Sequence, residues 1–154
     1  MKLICKLLAT SFGAGYSPFA PGTAGAIVGC VLLWLLQKYQ LIDTFNAPVP
    51  FIALITIITL IGVFVTNQLE EEWGKDPSKV VIDETIGLWI SMVLIPFSWL
   101  NLLLAFILFR FFDIAKPLGI RKMESLKGGI GVMADDVLAG IYANIVLQVI
   151  IYFL

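Results

Sequence analysis

The sequence predicts an all-α, polytopic membrane bundle of about five spans, some of them short, with a glycine-rich N-terminal loop that is re-entrant or interfacial. Three observations carry that expectation. Hydrophobic residues fill 60% of the 154 positions and charged ones only 14%, against roughly 45–50% and 25% in soluble domains. The mean hydropathy is +0.98. The charges are also segregated: they gather between apolar runs of helix length, so the net charge of −1 carries little information. Residues 1–154 read as a single integral-membrane domain.

The elements follow in order. Met1 to Ala9 carries lysines at 2 and 6 but lacks the apolar core and small-residue cleavage site of a signal peptide, so it is expected to be retained. Residues 10–25 hold four glycines, two prolines and four Ser/Thr hydroxyls, which oppose a regular helix. Such backbone at membrane depth must be buried in protein or line a polar cavity. It is either a packing loop or an anion-binding loop ahead of a helix N-terminus. Spans are expected from Ala24 to about Leu41, Phe51 to about Gln68, Val80 to Phe97, Trp99 to Phe112, and Asp135 to Leu154. The third and fourth are marginal for a core of about 30 Å. Glu70-Glu71-Glu72 reads as a solvated cap, and the Trp and Phe residues as lipid-facing or belt residues. Cys5 and Cys30 lack metal or redox spacing and read as small buried hydrophobes.

Charge sets the topology. Five spans put the N-terminal segment and the 69–84 and 110–135 loops on one side, with nine of the ten Lys and Arg residues; only Lys38 falls on the other. The positive-inside rule assigns the first side to the cytoplasm.

The acids converge on that side. Asp83 and Glu84 stand at the mouth of the third run, Asp113 closes the fourth, and Asp135 and Asp136 open the last. Carboxylates at the edge of hydrocarbon need a counter-charge. Gly87 and Gly140 each follow an acid by four residues, sharing its helix face and admitting another backbone or a ligand. The chain has no histidine, which removes the commonest general base and the usual zinc ligand. Hard oxygen ligands suit magnesium or manganese, often shared with a substrate phosphate. Arg110, Asp113 and Lys116 are spaced to line one face of a helix end. Interfacial ion pairs that merely fix helix ends are the plainer alternative.

Several motifs, in order, carry a family resemblance: residues 15–25, Lys-Asp-Pro-Ser at 75–78, Ile-Asp-Glu-Thr-Ile-Gly at 82–87, Phe-Arg-Phe-Phe-Asp-Ile-Ala-Lys-Pro at 109–117, and 128–140. Together they resemble the phosphatidylglycerophosphatase A family of bacterial inner-membrane enzymes. The resemblance implies a Mg²⁺-dependent phosphatase domain that removes the terminal phosphate of phosphatidylglycerophosphate, with its site on the cytoplasmic face. On that reading Asp83, Glu84, Asp113, Asp135 and Asp136 bind one or two Mg²⁺ and perform catalysis, and an aspartyl-phosphate intermediate stays open. Arg110, Lys116, Lys79 and the 15–25 loop, through Ser17 and Thr23, hold phosphate oxygens. Some members of the family carry a histidine in the loop before the Asp-Glu pair; here Lys75-Asp76-Pro77-Ser78 stands there, so no mechanism can rest on histidine. The expected partners are the lipid substrate and the bilayer, with no nucleic acid; the oligomeric state is not legible. Two rivals are a lipid phosphotransferase acting on cytidine-linked lipids, whose acids form one Asp-rich block, and a small cation transporter, which would need acids at midplane and an internal repeat.

Overall fold

The computed structural model describes residues 2–75 and 77–153. Met1, Asp76 and Leu154, which fall in the expected N-terminal segment, the 75–78 motif and the last span, lie outside the described residues. Seven α-helices, and no strand, occur among the described residues: α1 (Lys2–Ala9), α2 (Pro21–Lys38), α3 (Pro48–Trp73), α4 (Ile82–Ser91), α5 (Trp99–Ala115), α6 (Ile120–Met123) and α7 (Gly129–Phe153). Three of them, α2, α3 and α7, are long and apolar enough to cross a membrane.

The bundle is built around α4, which packs against α2, α3, α5 and α7. Eight of its ten residues are buried, including Ile86, Leu88 and Trp89. A helix apolar on all sides belongs in a core. Ten residues rise only about 15 Å, so α4 alone cannot cross a core of about 30 Å. The expected third span over 80–97 is therefore not one helix. It ends at Ser91 and continues as turns through Leu94, with φ +60°, to Pro96. The tertiary structure makes that break tolerable by supplying partners for the freed backbone groups. The Asn144 side-chain amide on α7 donates to the Ser91 carbonyl at 3.0 Å and the Val93 carbonyl at 2.7 Å. The Leu94 N–H reaches the Thr44 carbonyl at 2.9 Å, and the Thr44 hydroxyl donates to the Ile95 carbonyl at 2.7 Å. Polar backbone at depth is thus buried in protein. The same bonds put the turns around 44 and 95 at one end of the bundle, with Asp83 at the opposite end of α4. In the first of these turns Asp43 is held below the usual carboxylate range by the Asn46 side-chain amide and by the backbone N–H groups of Asn46 and Phe45.

Other boundaries shift for local reasons. The first span starts at Pro21 rather than Ala24, with proline in the first helical turn where its missing N–H costs nothing. The helix of the second span continues through Glu70-Glu71-Glu72, whose exposed last turn meets α1 through a Lys6–Glu72 ion pair. The last helix starts at Gly129, not Asp135. Its first N–H groups include that of Gly129, which the Asn67 side chain of α3 accepts at 2.7 Å. Asp135 and Asp136 consequently lie well inside α7. Residues 99–115 form one helix of 17 residues, opened by Ser98, whose hydroxyl accepts the Asn101 N–H at 3.0 Å.

Helices α4 and α7 cross at their glycines. A methyl group on Gly140 would strike the Gly87 carbonyl, and one on Gly87 would strike the Phe109 ring and stand 2.8 Å from the Asp136 carbonyl. What approaches beside each acid is therefore the other helix's backbone.

Replacing Asn144 by Leu leaves the Ser91 and Val93 carbonyls buried without partners, which costs about 1–3 kcal/mol. Thermal unfolding in detergent should show the loss as a lowered midpoint, whereas an unchanged midpoint would mean that this amide does not hold the end of α4.

Candidate active site

Three helix ends meet at one end of the bundle. The first turn of α4 supplies Asp83 and Glu84, the last two turns of α5 supply Arg110 and Asp113, and the early turns of α7 supply Asp135 and Asp136. They line a cavity of about 350 Å³ with Ala20, Pro21 and Gly22 at the start of α2, Pro77, Ser78 and Val80 from the 74–81 segment, and Lys116.

The cations are already engaged. Arg110 Nη1 donates to Asp113 Oδ2 at 2.5 Å, at the expected three-residue spacing. Lys116 does not join them. It is the C-terminal cap of α5 with φ +47°, a left-handed conformation that breaks the helical spacing. Its Nζ instead reaches Asp135 Oδ2 and Glu124 Oε1, each at 2.6 Å. Burial works against the Lys116 charge, but the hydrogen bonds to Asp135 and Glu124 outweigh it and hold the pKa above the usual lysine value. Lys116 is therefore a cation at neutral pH.

The remaining carboxylates stand apart from these pairs. Asp83, Glu84 and Asp136 bring ligating oxygens within 4.8 Å of one another, and Asp83 and Asp136 are only 8% and 3% exposed. Among the described residues, none of the four ion pairs includes any of the three. Glu84 Oε2 and Asp135 Oδ1 are buried without a hydrogen-bond partner. Like charges gathered out of water are costly unless a cation joins them. The donors are all hard oxygens, so the trio fits a divalent cation of the magnesium or manganese type.

The other residues singled out in the sequence are placed differently. Ser17 and Thr23 do not line the cavity; the Ser17 hydroxyl donates to the Phe19 carbonyl at 2.8 Å. Lys79 is also outside the lining, with Nζ 6.0 Å from the Tyr16 ring centre and 5.8 Å from that of Trp73. Most of the 10–17 loop spends its N–H groups internally, as in Gly15 N–H to the Thr10 carbonyl at 3.0 Å and Ser17 N–H to the Ala14 carbonyl at 2.9 Å. Only the end of the glycine-rich stretch, Ala20 to Gly22, reaches the cavity. Residues missed by sequence reasoning are Glu124, a lone acid in the basic stretch 121–127, Pro77 and Ser78, in a motif without an assigned role, and Gly22, not singled out within the 15–25 loop.

The fold and site are those of a helical membrane protein with acids and cations around a cavity at one end. The chain belongs to the phosphatidylglycerophosphatase A family, whose profile matches residues 7–151, and it is a phosphatase. It is 48% identical over 148 residues to a Bacteroides thetaiotaomicron protein named putative phosphatidylinositol-3-phosphatase, covering 93% of this chain and 91% of that one. It is 42% identical to the phosphatidylglycerophosphatase A of Haemophilus influenzae, over 96% of this chain and 89% of the relative. To that of Escherichia coli it is 34% identical, over 88% and 76%. No solved structure matches the chain.

Gly22 gives a direct probe of the site. A methyl group there would strike the Glu84 carboxylate and stand 3.1 Å from Arg110 Nη1. Gly22→Ala should keep the fold yet lower activity by roughly a hundredfold, the scale of a small misplacement of reacting groups. A folded Gly22→Ala protein with full turnover would remove Glu84 from the working site.

Proposed function

We propose that this protein hydrolyses the terminal phosphate monoester of phosphatidylglycerophosphate, giving phosphatidylglycerol and inorganic phosphate, with Mg²⁺ as cofactor. The observation that carries the reading is the trio Asp83, Glu84 and Asp136, the first and last buried and Glu84 half-buried, in none of the ion pairs among the described residues, at a cavity that also holds Arg110 and Lys116. Those three residues would hold the ion. When bound, it offsets charge on the phosphoryl group and favours the ionised form of a water molecule.

The chain's own residues do the rest. Arg110 and Lys116 hold phosphate oxygens by charge-assisted hydrogen bonds, exchanging part of their contact with Asp113, Asp135 and Glu124 for the substrate. The start of α2, through Pro21 and Gly22, lines the same cavity, and a helix N-terminus favours an anion there. Asp135 lies outside the trio and keeps one oxygen without a partner. It orients the attacking water and takes its proton. The Bacteroides relative's name favours a second substrate, phosphatidylinositol 3-phosphate. Both are lipid-borne phosphate monoesters, and phosphate release from the two in parallel decides between them.

The enzyme sits in the bacterial cytoplasmic membrane with its site on the cytoplasmic face. The charge bias supports this side: Lys38, the lone cation of the opposite end, lies 5.0 Å from the Trp34 ring centre, as an interfacial anchor would.

Activity should vanish in excess chelator and return with Mg²⁺. Asp83→Asn and Asp136→Asn should each lower turnover by at least about a hundredfold, consistent with the several kcal/mol a metal supplies, while Glu71→Gln changes little. Full activity in chelator would refute the metal reading.

Sidedness has its own test. In a chain with Cys5→Ser and Cys30→Ser, an impermeant thiol reagent outside the cell should label Asn46→Cys and spare Ser78→Cys. The reverse pattern would invert the topology.

A further inference from the structure

We propose that the apolar groove between α2 and α5 seats one acyl chain of the lipid substrate, which enters sideways from the bilayer with its phosphate in the acid cavity. This rests on the lipid-phosphatase reading and adds where the lipid lies.

The groove has a volume of about 270 Å³ and is lined by Ile27 and Cys30 of α2 and by Trp99, Leu102, Leu103 and Phe106 of α5. Ile27 and Leu103 are about half exposed along it, at 51% and 55%. It lies on the two helices whose ends close the acid cavity, through Gly22 of α2 and Arg110 of α5. Helical spacing makes the two continuous. On α5, Trp99, Leu103, Phe106 and Arg110 recur every three or four residues along one face, with one turn between Phe106 and Arg110, so the apolar stripe of that helix runs toward the acid cavity. On α2, the groove residues Ile27 and Cys30 lie on the helix whose first turn, through Pro21 and Gly22, lines the cavity.

The far end is closed. The Trp34 and Trp99 rings meet there with centres 5.9 Å apart. From Arg110 to Trp99 the helix rises about 16 Å, close to half of a hydrocarbon core of about 30 Å. That is the depth of one leaflet, the leaflet of a lipid whose headgroup lies at the acid end. The lining offers hydrocarbon and one thiol, so it suits an alkyl chain and not a polar headgroup. A larger apolar groove between α3 and α7, lined in part by Met133, Val137 and Ile141, lies on a face of α7 turned away from Asp135 and Asp136. It has no such continuity with the acids.

Two measurements test the groove, while release of phosphate by the wild type from the long-chain lipid tests the functional reading separately. The first uses wild-type protein in vesicles with a phosphonate analogue of phosphatidylglycerophosphate carrying a diazirine on one acyl chain. Cross-links should map to α2 and α5 around Ile27 and Leu103, and excess unlabelled phosphonate, but not phosphatidylcholine, should suppress them. The second uses Leu103→Trp and Ile27→Trp, which fill the groove from exposed positions. Each should lower kcat/KM for a dioleoyl substrate at least about tenfold, the effect of about two buried methylenes, and leave a dihexanoyl substrate unchanged. Cross-links on the Met133–Ile141 face, or spread evenly around the bundle, would overturn the proposal. So would variants that lose both substrates equally or neither.

Discussion

The backbone contact between α4 and α7 at Gly87 and Gly140 sets the rest of the site. With no side chain between them the two helices approach until the Gly87 carbonyl lies against Gly140. That approach fixes how far Asp83 and Glu84, one turn earlier on α4, stand from Asp136, one turn earlier on α7. It also encloses α4 within the other helices, leaving Asp83 buried and Glu84 half-buried at the cavity. A larger residue at either crossing point would separate the helices and the carboxylates with them. The metal-type geometry of the trio is thus a consequence of helix packing. Packing is the appropriate agent in a bilayer, where hydrophobic attraction between helices is absent and close backbone approach takes its place.

That packing leaves an electrostatic cost unresolved within the chain. Arg110 pairs with Asp113, and Lys116 with Asp135 and Glu124. Among the described residues none of the ion pairs includes Asp83, Glu84 or Asp136, which face one another. A fold under selection for stability alone would sooner replace such carboxylates with apolar residues. Such a trio fits a cation supplied from outside the chain. The two cations line the same cavity as these acids, each paired with carboxylates.

Much of this was legible in the sequence. Five acids at the ends of apolar runs, the glycines four residues after two of them, and the grouping of nine cations with those acids all depend on spacing alone. The structure gathers the five acids around one cavity and sets the 44 and 95 turns at the other end. What could not be read depended on distant partners. The end of α4 at Ser91 depends on an amide 53 residues away on α7, and no local signal in 80–97 encodes it. The start of α7 at Gly129 depends on Asn67, and a glycine cluster by itself reads as loop. Lys116 was expected beside Asp113 by helical arithmetic. Its left-handed backbone ended the helix there and sent the side chain to Asp135, 19 residues on.

The glycine-rich stretch leading into α2 has a packing task that its composition alone does not announce. Its composition suits a phosphate cradle, yet its glycines mostly receive the segment that delivers the acids. A methyl group on Gly15 would strike the Lys79 carbonyl, one on Gly25 would stand 2.6 Å from Val81 Cβ, and one on Gly22 would strike the Glu84 carboxylate. The Ser11 hydroxyl bonds the Val81 carbonyl at 3.2 Å and lies 2.9 Å from that of Thr85. The Ala9 carbonyl accepts the Val81 N–H at 2.8 Å. Residues 79–85 therefore lie across a small-residue bed that takes up the Val81 backbone groups and the Thr85 hydroxyl. The glycines of this bed and those at the α4–α7 crossing perform the same service on two sides of one segment. They hold Asp83 and Glu84 in place from behind and from the side, so that the open direction left to those carboxylates is the cavity.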